Sequence, residues 1–173
     1  MTIMPRGSQL LLPANPLFIA FSLIVALVID MIPLGRVPAM PDFVALVLVF
    51  WGVHQPRRVG VGWAFVFGLI VDVHHGALLG QHALAYSALS FGAIALHRRI
   101  PSFGLLEQAL HVLPLFAVAH VLSLIVRLIV GGMWPGWPLV LAPVIEALLW
   151  PLASVLLLAP QRRAPDRDAH RPL

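Results

Sequence analysis

The sequence has no cysteine and no lysine, and only 10% of its 173 residues are charged. Without cysteine, disulfides and thiolate metal sites are excluded. So little charge excludes an ordinary soluble domain, in which about 25% of residues are charged. All eleven basic residues are arginine. They stand in short clusters between apolar runs, which is how membrane orientation is encoded. Nucleic-acid binding would need a contiguous basic face on a soluble fold, and the pattern offers none. What remains is apolar: 60% of residues are hydrophobic and the mean hydropathy is +0.95. Such a chain needs lipid as its solvent.

A helix needs about 20 apolar residues to cross a bilayer. Proline, glycine and arginine divide the chain into six candidate spans: Leu17 to Ile32, Asp42 to Val53, Val59 to Leu79, His82 to Leu96, Leu105 to Val130 with Pro114 inside it, and Pro138 to Ala159. Gly80 and Gln81 form the turn between the third and fourth. Trp134 and Trp137, in the loop before the sixth, suit the headgroup layer. The expected fold is an all-α integral membrane protein: a six-helix bundle over residues 17–159, a cytoplasmic N-terminus over 1–16, and a basic cytoplasmic tail over 160–173 expected to be disordered. With both ends inside, Arg6, Arg57, Arg58, Arg98, Arg99, Arg162, Arg163, Arg167 and Arg171 share one side and only Arg36 and Arg127 the other. That asymmetry is what the positive-inside rule requires. The first segment carries Asp30 and is followed by five more spans, so it reads as an uncleaved helix rather than a signal peptide.

Every fourth residue of the third span is small or acidic: Gly60, Ala64, Gly68, Asp72, Gly76 and Gly80. Such a ridge lets two helix backbones approach closely. The partner helix is either in this chain or in another protein. A carboxylate inside hydrocarbon costs several kcal/mol unless it is satisfied, so Asp72 needs an explanation. Asp30, Asp42, Asp72, Glu146 and Arg127, with Arg36 at the rim, form a polar belt towards the outer side. It is read either as structural, with Arg127 bridging a carboxylate, or as a site facing outward. Glu107 and His111, four residues apart, are expected to pair.

No catalytic set stands out. H-E-x-x-H, G-x-S-x-G and thiols are absent, and His74 and His75 are adjacent on a helix, about 100° apart, so they cannot both chelate well. Ser123 beside His120 reads as a helix-helix hydrogen bond. No enzyme activity, metal or cofactor is expected.

Pro41-Asp42-Phe43, Phe50-Trp51, Pro56-Arg57-Arg58-Val59-Gly60-Val61-Gly62 with Ala64-Phe65, Gly68-Leu69-Ile70-Val71-Asp72 with Gly76, and Leu79-Gly80-Gln81-His82-Ala83-Leu84 with Tyr86 follow one another in an order that resembles the family of the rod shape-determining protein MreD. The likeness covers Pro38 to Phe91 by motif and the remainder by size and hydropathy. It implies a non-enzymatic subunit of the cell-elongation machinery in a bacterial inner membrane, supporting rod shape and lateral peptidoglycan synthesis. The implied partners are MreC and, through it, MreB, RodA and its partner transpeptidase, with membrane lipid around them and no nucleic acid. The implied fold is similar to that of the membrane substrate-binding subunits of energy-coupling-factor transporters. An alternative is a small-molecule binding or transport subunit with an outward-facing intramembrane site. The residues expected to bind a partner or pack helices are Asp42, Gly60, Gly68, Asp72, Gly76, Gly80, His82, Arg127 and Glu146.

Overall fold

The computed structural model describes residues 14–32 and 40–161. Arg6, Arg36, the first 13 residues and the tail from Arg162 lie outside the described residues. Within them the chain is all helical: α1 Pro16–Met31, α2 Phe43–His54, α3 Val61–His75, α4 Gln81–Ala95, α5 Leu105–Ile129 and α6 Pro138–Leu158. Short 3-10 turns at Ile100–Ser102 and Ala159–Gln161 complete the elements. The segmentation read from proline, glycine and arginine matches these helices to within a residue or so, except at α3.

The expected third span ran to Leu79, but α3 ends at His75. Gly76 there is left-handed, with φ 60°, a conformation that glycine adopts without steric penalty. Gly80, with φ 105°, then starts α4. Pro114 lies inside an unbroken α5.

The short helix α2 is the centre. Ten of its twelve residues, Val44 to Val53, are buried, and α1, α4 and α6 pack around it. A helix apolar on every side belongs in a core, and the sequence FVALVLVFWGVH has no polar face to offer water. Trp51 joins α2 to α1 through an edge-to-face contact with Phe18 (6.0 Å between ring centroids) and a hydrogen bond from its Nε1–H to Ser22 Oγ (2.8 Å). Phe50 reaches Trp150 of α6 at 6.0 Å. The indole N–H of the buried Trp150 is satisfied in turn by Gln108 Oε1 of α5 (3.1 Å).

The outer surface is the reverse of a soluble protein's. Leu17, Phe21, Ile24 and Val28 make an exposed stripe on α1, Leu106, Leu110, Val121 and Ile129 on α5, and Val140, Val144, Leu148 and Leu152 on α6. Contiguous apolar surface on this scale belongs against lipid or protein. Two helices, 105–129 and 139–161, are long and apolar enough to cross a membrane; only 17% and 33% of their most apolar stretches are buried inside the bundle.

α1 packs on α2, α3 on α4, α4 on α5 and α5 on α6, and with the short connections 55–60 and 76–80 the helices run alternately up and down. One end therefore collects the loops 55–60 and 96–104, with Arg57, Arg58, Arg98 and Arg99 exposed on them. The opposite end collects the C-termini of α1, α3 and α5 and the N-termini of α2, α4 and α6, and all the candidate acids lie towards it.

Candidate functional site

An α-helix begins with four backbone N–H groups that have no acceptor within the helix. At α2 all four go to carboxylates. Asp42 N–H donates to Glu146 Oε1 (3.0 Å). Phe43 and Val44 N–H donate to the two oxygens of Asp30 (3.1 and 2.9 Å). Ala45 N–H donates to Asp42 Oδ1 (2.8 Å). Acids carried by α1, by the cap of α2 and by α6 thus meet at one helix end, where the partial positive charge of the aligned peptides favours them. Tyr86, buried on α4, donates its hydroxyl to the second oxygen of Asp42.

The same device recurs at α4. Gly80 has no side chain to cap with, so Asp72 reaches across from α3. Its Oδ2 accepts from Gly80 N–H (2.9 Å) and Ala83 N–H (3.3 Å), and its Oδ1 from His82 N–H (2.8 Å) and His82 Nδ1 (2.8 Å). Asp72 is fully buried. The intramembrane acid that stood out in the sequence therefore closes a helix start and holds one histidine. In both hairpins the last turns of one helix supply the carboxylate that caps the next.

The third hairpin departs from this rule. Trp137 caps α6 with no side-chain hydrogen bond, and Pro138 in the first turn has no N–H to satisfy. An arginine, Arg127, occupies the last turn of α5. One of the two readings of the polar belt had it bridging a carboxylate, but among the described residues it forms no ion pair, and its side chain is exposed. Asp30, Asp42 and Asp72 are engaged by N–H groups at the starts of α2 and α4, and Glu146 by Asp42 N–H and His120 through Oε1, while its buried Oε2 has no partner among the described residues.

The small-residue ridge also needs correcting. Ala64 is buried, and Gly68 faces a helix that is α4 of the same chain: a Cβ on Gly68 would lie 2.4 Å from the Cα of Ala83. Gly60, Gly76 and Gly80 make no close approach, since nothing lies within 4 Å of a Cβ at any of them. Each ends or starts a helix instead. The i, i+4 reading assumed one continuous helix and failed where Gly76 ends it. Glu107 and His111 do not pair through their side chains either. Glu107 Oε2 accepts from Gly104 N–H (3.2 Å), while the His111 ring hydrogen-bonds the Glu107 backbone oxygen (2.8 Å) and stacks on Phe103.

Other members were missed. His120 Nε2 and Glu146 Oε1 are hydrogen-bonded (2.8 Å), and Gln81 Nε2 donates to Ser123 Oγ (2.9 Å), so Ser123 serves α4 rather than His120. Tyr86 could have been found, because it stands four residues after His82 and shares its face. The His120–Glu146 pair joins α5 to α6 over 26 positions and leaves no local signal. Among the described residues no group of three or more His, Asp and Glu is arranged to hold a metal ion.

Above this network lies a cavity of ≈ 870 Å³, bounded by Asp30, Asp42, His75, Gln81, Tyr86, Ser123 and Arg127 with apolar Val71, Leu124 and Leu139. Below it, among Asp42, His82, Tyr86, His120, Ser123 and Glu146, is a pocket of ≈ 40 Å³. Replacing Tyr86 by phenylalanine removes one donor to a carboxylate and is expected to cost about 1–2 kcal/mol. The loss should appear as a lower thermal midpoint in detergent, followed by fluorescence of the five tryptophans.

An apolar exterior, two helices long enough to cross a bilayer, and acids satisfied by helix N-termini inside the bundle define a helical membrane protein. The profile of the family described as rod shape-determining protein MreD matches residues 12–159, and the chain belongs to that family. It is similar to the rod shape-determining protein MreD of Haemophilus influenzae, 27% identical over 136 residues, which cover 78% of this chain and 84% of that protein. No solved structure matches the chain.

Proposed function

We propose that the chain is a multi-pass subunit of the rod-shape machinery in a bacterial inner membrane, crossing six times with both termini in the cytoplasm. In this reading it binds MreC and, through it, serves MreB, RodA and its partner transpeptidase in building peptidoglycan along the cell cylinder, without catalysing a reaction itself. The observation that carries it is the family match over 12–159 laid onto a bundle whose outer surface is apolar. The charge distribution supports the orientation: Arg57, Arg58, Arg98 and Arg99 are exposed at one end, and the buried acids lie towards the other, as the positive-inside rule requires. Because Gly68 and Asp72 are spent on α4, a partner helix would meet other faces, such as the exposed stripe of α1. Depleting the protein should turn rods into round cells. Rods persisting after complete depletion would sink the proposal, as would reporter fusions placing the tail outside the cell.

One observation favours a second reading, a small-molecule binding subunit. The cavity of ≈ 870 Å³ is large enough for a drug-sized ligand. The family's implied likeness to the substrate-binding subunits of energy-coupling-factor transporters belongs with this reading. A ligand copurifying in that cavity and chased out by an excess of the same compound would favour it.

A further inference from the structure

Hydrogen bonds fix how far each helix reaches towards the end that carries the acids. Gln81, the first residue of α4, meets Ser123 of α5 (2.9 Å). From there α5 runs on to Ile129, about 9 Å of further helix. Asp42, the cap of α2, meets Glu146 of α6 (3.0 Å), and α6 begins at Pro138, about 12 Å away along its axis. Asp72 ties the last turn of α3 to the start of α4. The α3–α4 hairpin therefore stops about two helical turns short of the reach of α5 and α6.

Length gives the same result. α3 and α4 have 15 residues each and rise about 22 Å, against about 30 Å of hydrocarbon in a bilayer. With 25 and 21 residues, α5 and α6 rise about 37 and 31 Å. The two connections at this end also differ in kind. That between α5 and α6 carries exposed Trp134 and Trp137 after the exposed Arg127, residues suited to a headgroup layer. That between α3 and α4 is Gly76-Ala77-Leu78-Leu79-Gly80. Yet it is not built to lie in hydrocarbon. The N–H groups of Leu78 and Leu79 have no acceptor among the described residues. His74 stands exposed beside them, and neither His74 nor Leu79 lines the cavity. Polar backbone facing lipid needs a partner, so water and headgroups have to come to this turn.

We infer that the bilayer thins against the α3–α4 hairpin and keeps its full depth along α5 and α6. The protein then offers lipid a short apolar wall on one side, with Val66, Ile70 and Val73 exposed on it, and a long one on the other, with Val140, Leu148 and Leu152. Phospholipids with short acyl chains fit the first wall, and longer chains the second. The inference rests on the bundle being embedded in lipid and is independent of which proteins it binds.

The chain has no cysteine, so single cysteines can be labelled cleanly. Val66→Cys and Leu148→Cys place a bimane fluorophore on exposed positions of α3 and α6, and thermal midpoints check that both variants fold. Each is reconstituted in an equal mixture of di-14:1 and di-22:1 phosphatidylcholine, with a spin-labelled quencher lipid of one chain length or the other. At position 66 the short-chain quencher should be enriched over the long-chain one by about twofold or more, since mismatch costs only fractions of a kcal/mol per Å. At position 148 the ratio should be one or reversed. A nitroxide at Leu79→Cys in di-18:1 vesicles should collide readily with a water-soluble nickel chelate, because the headgroup layer descends to the turn. Equal ratios at positions 66 and 148 would overturn the inference, as would short-chain enrichment at both. A nitroxide at position 79 shielded from nickel would mean a turn submerged under a bilayer of full depth, and would overturn it as well. No quenching by lipid at either bimane would overturn the membrane-embedded reading and this inference with it.

Discussion

Asp72→Leu is expected to cost the bundle roughly 3–5 kcal/mol and to leave little folded protein in detergent extracts. The substitution strips the acceptor from the N–H groups of Gly80, His82 and Ala83 and from the His82 ring. Each buried donor left unpaired costs about 1–3 kcal/mol, and relaxation of the α4 start recovers part of the sum. Asp72→Asn should be milder, at about 2 kcal/mol, because one oxygen still accepts while the new amide N–H group faces other donors. Insertion into the membrane should survive both changes, since hydropathy is kept or raised. The measurement is the monodisperse fraction on size-exclusion chromatography together with the thermal midpoint. If Asp72→Leu matches the wild type in both, the capping role is wrong. In cells the same order is expected for rod growth and for recovery of MreC, with leucine worse than asparagine.

Gly68→Ala is expected to be the most damaging single methyl group in α3. The added carbon would sit 2.4 Å from Ala83 Cα and 2.5 Å from Ala83 N. Both atoms are backbone, so no rotamer change relieves the overlap and the two helices must separate. Overpacking of this kind costs about 1–3 kcal/mol and occasionally more, and Gly68→Leu should exceed it. Gly62→Ala is the control: it lies in the same helix with nothing within 4 Å of the new carbon, so any change should be small and could be stabilising, as alanine favours helix by up to about 1 kcal/mol. Equal thermal midpoints for Gly68→Ala and Gly62→Ala would refute the close crossing of α3 and α4.

Much of the fold could be read from the chain because helix ends in an apolar sequence are marked by residues that break helices. Pro16, Gly80, Gly104 and Pro138 all fall at or next to helix boundaries. What could not be read was which helix each polar group would serve. Asp72 was recognisable as costly to bury, but three of its partners are backbone N–H groups that every residue except proline carries, so composition gave no hint of them. Arg127 illustrates the converse. Charge complementarity suggested a bridge to an acid, while the geometry gives those acids to helix starts. The ridge of glycines misled because periodicity treats a glycine within a helix and a glycine ending one alike, and only φ at Gly76 tells them apart.

The burial of α2 also bears on how the protein is made. Twelve residues rise about 18 Å, well short of the roughly 30 Å of hydrocarbon, and almost none of that helix is left for lipid to touch. During synthesis such a segment gains little by partitioning alone from the translocation channel. In the proposed six-span topology it is expected to leave in company, with α1 at its side through the Asp30 and Trp51 contacts, before α4 and α6 enclose it. The order of biogenesis is thus written into the shortest of the six helices.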